Sequence, residues 1–348
     1  MKGMNHTEKI YSFSYLRAIA CIAIIVLHMF ASASIIYGEQ SGILVNACSR
    51  SLSNVMMWAV PCFVMISGAL LLMKERKLTY RKLFQKYVLR MFLVLIIFSF
   101  GFRLFDMVMD NEQISVNILL SWLQELFTGT GWSHLWYIYL LIGLYLMLPF
   151  YKKIADYGSK MDIKYLLLVY LIFISLLPLT RIWNFSSGFY IHVSTIYPFY
   201  FFCGYAVHEG IIKINRWFAL FLSILSSCLI VILTILRWEN GIEWMEQFWS
   251  YSSIFVVIQS VSIFALCDQF KGKVKGIISV ILLEIDKYSF GIYLIHMVFI
   301  RLILRYMKFN PYNGNMPLNF VLLIGSTFLV SYGCAKILKM IPVLKKIL

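Results

Sequence analysis

Two ionisable side chains, Arg17 and His28, stand inside the first long apolar run of the chain. A charged group at the middle of a membrane helix costs upward of about 2.5 kcal/mol, so a residue kept there is a functional candidate by default. The two positions are 11 residues apart. At about 100° per residue that separation closes to within about 20° of three full turns, with a rise of about 16 Å, so both side chains lie on one helical face. Such a polar stripe needs a cavity or a bundle interior, not lipid. An imidazole poised near neutral pH can take or give a proton. A guanidinium can clamp a phosphate or polarise a carbonyl. The bland alternative carries equal weight on these residues alone: Arg17 snorkels to lipid phosphates and His28 is a hydrogen-bonded core histidine.

Other chemistry-bearing residues are weaker signals. His296 closes the run Ser289-Phe290-Gly291-Ile292-Tyr293-Leu294-Ile295-His296, and His134 opens His134-Leu135-Trp136-Tyr137. Packing explains the first. An aromatic belt at the membrane interface explains Trp136 and Tyr137 but has no need of the histidine. A basic stretch from Lys74 to Arg90 includes Arg81 and Lys86; it suits polyanion binding or an ordinary positive-inside loop. His6, His192 and His208 read as structural. Of the seven cysteines all but Cys48 fall in apolar runs and no C-x-x-C occurs, so neither a disulfide framework nor a metal site is suggested.

The elements that must position these residues are membrane helices. The chain is 61% hydrophobic and 14% charged, with a mean hydropathy of +0.80, far from the usual soluble composition. Runs long enough to cross a bilayer fall near 12–36, 53–73, 87–107, 134–151, 164–181, 190–208, 215–237, 248–268, 287–306 and 317–340. The run 190–208 is the weakest, with His192, Pro198 and Gly204 as expected breaks. Segment 277–283 reads as a short buried or interfacial piece. The expected fold is an all-α integral membrane bundle of about ten transmembrane helices in a single domain over 1–348, with no appended soluble domain. Most of the 31 Lys and Arg residues fall in alternate loops, among them Lys2, Lys9 and Lys271, while the other loops are acidic, with Asp106, Asp110 and Glu112 in one and Glu239, Glu243 and Glu246 in another. That asymmetry places both termini in the cytoplasm. The same scatter argues against nucleic acid as the partner for a net charge of +15. Ala31-Ser32-Ala33 after an apolar run resembles a signal cleavage site, but a cleaved peptide has no use for Arg17 and His28.

Four segments, in order, resemble the membrane-bound acyltransferase family 3. They are Tyr15-Leu16-Arg17-Ala18-Ile19-Ala20 with His28 in an R-x10-H pattern; Pro61-Cys62-Phe63-Val64-Met65-Ile66-Ser67-Gly68; His134-Leu135-Trp136-Tyr137 running on to Leu148-Pro149-Phe150; and Ser289 to His296. The family's R-x-x-R at the start of the third span is altered here to Lys86-Tyr87-Val88-Leu89-Arg90. The resemblance implies a plasma (inner) membrane enzyme that moves an acyl group, most often acetyl, from cytoplasmic acyl-CoA to a hydroxyl of a surface or lipid-linked carbohydrate. It implies His28 as general base, Arg17 as phosphate clamp or carbonyl polariser, and Arg17 or Tyr15 as oxyanion donor. Arg81, Lys86 and Arg90 would hold the phosphates of acyl-CoA, with His134, Trp136, Tyr293 and His296 as further site candidates. Acyl-CoA is then a co-substrate, and no resident cofactor is expected. The partners are acyl-CoA, a carbohydrate acceptor and the lipid bilayer; oligomeric state is not readable. Intramembrane Arg and His also suit a transporter or flippase for polysaccharide or lipid-linked sugar.

Overall fold

The computed structural model describes residues 10–112, 116–183, 195–236, 238, 247–270 and 272–348. His6, His192, Lys2, Lys9, Lys271, Glu239, Glu243, Glu246 and the first part of the expected span 190–208 lie outside the described residues. In chain order the main helices are α1 (Tyr11–Ser41), α2 (Ile43–Asn54), α3 (Ala59–Leu71), α4 (Leu89–Met109), α5 (Val116–Thr128), α6 (Trp136–Tyr157), α7 (Lys160–Tyr170), α8 (Tyr197–His208), α9 (Arg216–Leu236), α10 (Ile254–Asp268), α11 (Ile277–Arg301), α12 (Met316–Leu338) and α13 (Pro342–Ile347). No strand occurs among the described residues.

Nine helical stretches among the described residues are long and apolar enough to cross a bilayer. They match nine of the ten expected runs. The tenth, 190–208, corresponds to α8, which has 12 residues and at 1.5 Å per residue reaches only about 18 Å. Segment 277–283 is not a separate piece: it is the first two turns of a helix continuous from Ile277 through the π-turn Leu302–Tyr306.

The chain divides into two units, with the boundary inside α11 between Ser289 and Phe290. Unit 1 holds residues 1–73 and 157–289; unit 2 holds 74–156 and 290–348. In unit 1 the chain turns from α1 into α2 at Gly42, whose φ of +86° is left-handed and suits glycine. Ser159 and Asp162 form a reciprocal cap that starts α7. The centre of unit 1 is the crossing of α3 and α8, where Tyr200, Phe201, Phe202 and Met65 are almost wholly buried. In unit 2, α4 follows a π-turn, Leu83–Val88, and α12 starts on an Asn315 cap to the Leu318 N–H.

Gly204 is not a break. A Cβ on Gly204 would lie 2.1 Å from the Met65 carbonyl oxygen, and one on Gly68 would lie 1.8 Å from that of Phe201. The two glycines let α3 and α8 touch backbone to backbone, the usual way helices associate where no hydrophobic effect drives them together. Gly204→Leu should therefore force the crossing apart and lower stability by about 1–3 kcal/mol, read as a reduced melting temperature of the purified protein in detergent. Gly101→Leu, whose Cβ would meet nothing within 4 Å, should leave it near the unaltered value.

Candidate functional site

In unit 1 the site is built on α1. Arg17 Nε donates to Asp286 Oδ1 at 2.6 Å and Nη2 donates to Oδ2 at 3.1 Å, with a longer contact from Nη2 to Ser14 Oγ at 3.4 Å. The Asp286 side chain is 8% exposed and that of Arg17 28%. One turn further along α1, the Cys21 thiol meets the Ser289 carbonyl at 3.6 Å. The face that carries Arg17 therefore packs on the start of α11. Tyr15 Oη accepts from the Val274 N–H at 3.1 Å and shares a 2.8 Å hydrogen bond with Ser279 Oγ. His28 stands half-buried on the same helix, and the helical spacing puts it on the face of Arg17.

These contacts change how Arg17 and Tyr15 are understood. Arg17 does not reach outward to lipid: a carboxylate on another helix neutralises it in a two-pronged pair, the geometry that suits a planar guanidinium. The Tyr15 hydroxyl already bonds two groups of the 274–279 segment. Sequence reasoning missed Asp286 because it fell one residue before the ninth expected span, 287–306. The signal was present: an intramembrane arginine demands an acid, and Asp286 lies three residues before the Ser289 motif.

In unit 2 three of the expected candidates come together. His134 and His296 are 1% and 0% exposed, and their ring centres are 5.7 Å apart. His134 Nε2 lies 3.1 Å from the Leu294 carbonyl and His296 Nδ1 lies 2.6 Å from that of Tyr293. A carbonyl can only accept, so each of those nitrogens carries a proton, which fixes the tautomer of each neutral ring. The Tyr293 hydroxyl donates to the His134 main-chain carbonyl. Trp136 is half-buried and packs edge-on against Tyr137 at 6.1 Å; the tryptophan at the cluster is instead Trp132. Its ring stacks on Phe102 at 4.6 Å and lies under the Arg301 guanidinium, also at 4.6 Å. Arg301 and the Trp132 N–H both donate to Asp106, at 2.8 to 2.9 Å.

The basic stretch is also in unit 2. Arg81 and Lys86 are exposed on the π-turn and the short helix Tyr80–Lys82 before it. Arg76 donates to Tyr87 Oη at 2.6 Å, and the Tyr87 ring packs on Tyr145 at 5.4 Å. A π-turn takes one residue more than an α-turn and occurs often at functional sites; here it carries the altered Lys86-Tyr87 segment. Arg90 points elsewhere: Nε and Nη2 donate to the Ile347 and Leu348 carbonyls at 2.8 and 3.2 Å, and its guanidinium lies 5.9 Å from the Phe290 ring centre. Among the described residues, no group of three His, Cys, Asp or Glu side chains gathers as metal ligands would.

Nine crossing-length helices and no strand among the described residues, with arginine, histidine and aspartate held inside those helices, make this a multi-pass membrane protein with buried polar centres. The family described as an acyltransferase domain, acyltransferase 3, matches residues 10–336. The chain belongs to that family. It is similar to the probable poly-beta-1,6-N-acetyl-D-glucosamine export proteins of Staphylococcus aureus strains MSSA476, MW2 and N315. Each is 25% identical over 317 residues, spanning 84% of this chain and 83% of the relative. No solved structure matches.

The Arg17–Asp286 pair has a measurable consequence. Removing one partner of a largely buried pair strands the other charge, whereas replacing both with apolar side chains of similar volume does not. Asp286→Ala should lower stability by roughly 2–3 kcal/mol, discounted from the fully buried value for the partial exposure of Arg17. The double change Arg17→Met with Asp286→Leu should recover most of that loss in thermal unfolding. Equal losses in the single and double variants would show that the two charges are not coupled.

Proposed function

We propose that this chain is an O-acyltransferase that moves an acyl group, acetyl in the first instance, from acyl-CoA to a hydroxyl of a cell-envelope carbohydrate. The observation that supports it most is the match to an acyltransferase domain across residues 10–336. The carbohydrate acceptor is inferred from relatives named for a polysaccharide of N-acetyl-glucosamine. The membrane would be the plasma or inner membrane, and the donor would arrive from the cytoplasm.

In this reading His28 is the general base that takes the acceptor hydroxyl proton as that oxygen attacks the thioester carbonyl. The carbonyl–sulfur bond then breaks, an ester forms, and the thiolate of coenzyme A leaves with the proton that His28 returns. Arg17 has a double role. Its Nε and Nη2 atoms hold Asp286, which fixes the rotation of α1 in unit 1 and so the direction of His28. Its Nη1 atom makes no hydrogen bond to a described residue and is the edge offered to a phosphate or to the developing oxyanion. Tyr15 steadies this end of α1 through Val274 and Ser279. Arg81 and Lys86, exposed and without an acid partner among the described residues, suit the phosphates of coenzyme A. Arg90 has two of its nitrogens on main-chain carbonyls and would serve the phosphates only indirectly.

A second reading comes from the same relatives, whose names describe export. The two readings part in a detergent assay with labelled acetyl-CoA and an acceptor glycan, where no compartment exists to transport across. Ester formation there is expected of the transferase; its absence, together with glycan movement across proteoliposomes, would favour export. His28→Ala should reduce transfer by about 10²–10⁴-fold, the usual contribution of a positioned base, with melting temperature unchanged. Near-normal transfer by that variant would reject His28 as the base.

A further inference from the structure

Unit 2 carries an apolar groove of about 440 Å³ between α4, α11, α12 and α13. Its walls include Ile97, Phe98, Phe102, Ile295, Ile337 and Leu344. The floor is open at Gly101, where a Cβ would meet nothing within 4 Å. Ile97 and Ile337 are exposed along its edge. The helices that form most of it are of membrane-crossing length and composition, so the groove faces hydrocarbon. Its volume falls in the range of about 300–1,000 Å³ in which pockets take small molecules.

The two ends of the groove differ in charge. Towards the start of α4, Arg90 ties down Ile347 and Leu348. Lys345 and Lys346 there directly follow the wall residue Leu344, and Lys336 precedes the wall residue Ile337. All three lysines are exposed, and none forms an ion pair with a described residue. At the other end the charges are already balanced: Asp106 with Arg301, Asp110 with Arg305, Glu112 with Arg103. An occupant with one apolar chain and an anionic head fits in one direction only, its head at the lysines and its chain running towards Phe102.

We infer that this groove is a binding site for one chain of an anionic membrane phospholipid, with the phosphate held by Lys336, Lys345 and Lys346. The chain end lies against Phe102, the ring that stacks on Trp132 and stands 5.4 Å from His134. An occupied groove braces that ring and, through it, the His134–His296 pair. The site is independent of the acyl-transfer reading, since it rests on the shape and charge of unit 2 alone.

The test is native mass spectrometry of the purified full chain in detergent, titrated with phosphatidylglycerol and, separately, phosphatidylcholine carrying the same chains. Basic residues at a membrane surface each strengthen attraction to anionic lipid several-fold, so one phosphatidylglycerol should bind at least about tenfold more tightly than phosphatidylcholine. Changing Lys336, Lys345 and Lys346 together to Ala should erase that preference. Gly101→Phe, which fills the groove at a helical position that tolerates a side chain, should weaken binding of both lipids by about tenfold or more. Equal binding of the two lipids by the unaltered protein would overturn the inference. So would tight phosphatidylglycerol binding by a Gly101→Phe protein with an unchanged melting temperature. Should that variant not fold, Ile337→Trp, at an exposed wall position, is read in its place with the same two outcomes.

Discussion

A charge inside hydrocarbon must find an opposite charge or leave, and much of this structure follows from that. Desolvation makes an unpaired ion in a low-dielectric interior prohibitively unfavourable, and a well-aligned partner returns most of the loss. Arg17 meets Asp286 in unit 1. Arg301 meets Asp106 in unit 2, and Lys152 meets Asp156 one turn on along α6. Except for the last, each pair joins helices that are distant in sequence. Each therefore acts as a register pin: sliding or rotating either helix would strand two charges at once. Apolar side chains alone cannot provide such a pin, because leucine packs against lipid about as well as against another leucine.

The register pins have a consequence for chemistry. For His28 as the proposed base, direction matters, since a base acts only if it points where the substrate is held. His28 sits on the face of α1 that Arg17 and Cys21 turn towards the start of α11, so the ion pair sets its direction about three turns away. In unit 2 the Asp106–Arg301–Trp132 assembly does the same for His134, whose ring is enclosed by Phe102, Trp132, Tyr293 and His296. Both histidines of that cluster donate to main-chain carbonyls, which sets their tautomers without any further side chain. The backbone contributes in two other ways. The glycine contacts of α3 and α8 bring two helix axes close enough to exclude everything between them. The π-turn before α4 absorbs an irregular stretch, Lys86-Tyr87, without ending the helix.

How much of this the residues disclose can be judged position by position. Nine of the ten expected spans are helices of crossing length, because twenty apolar residues in a row have almost no other stable arrangement in a bilayer. The stripe of Arg17 and His28 followed from helical periodicity alone. The tenth expected span is described only from residue 195 on: within it α8 is almost completely buried in protein, so its apolar residues face other helices. Gly204 suggested a break, because nothing local distinguishes a glycine that ends a helix from one that lets a second helix touch it. The clustering of His134, Tyr293 and His296 was out of reach for the same kind of reason, since residues 134 and 296 meet only through packing.

By itself, then, the order of residues determined the solvent, the number and approximate bounds of most helices, the face each ionisable group occupies, and the family. All of these are written in local composition and in a period of 3.6 residues. Tertiary structure alone decided the partners: Asp286 for Arg17, Asp106 for Arg301, main-chain carbonyls for Arg90 and the two buried histidines, and the apolar groove beside Phe102. Partnership is a matter of distance between segments far apart along the chain, and a helical period carries no information about which other helix will lie against its polar face.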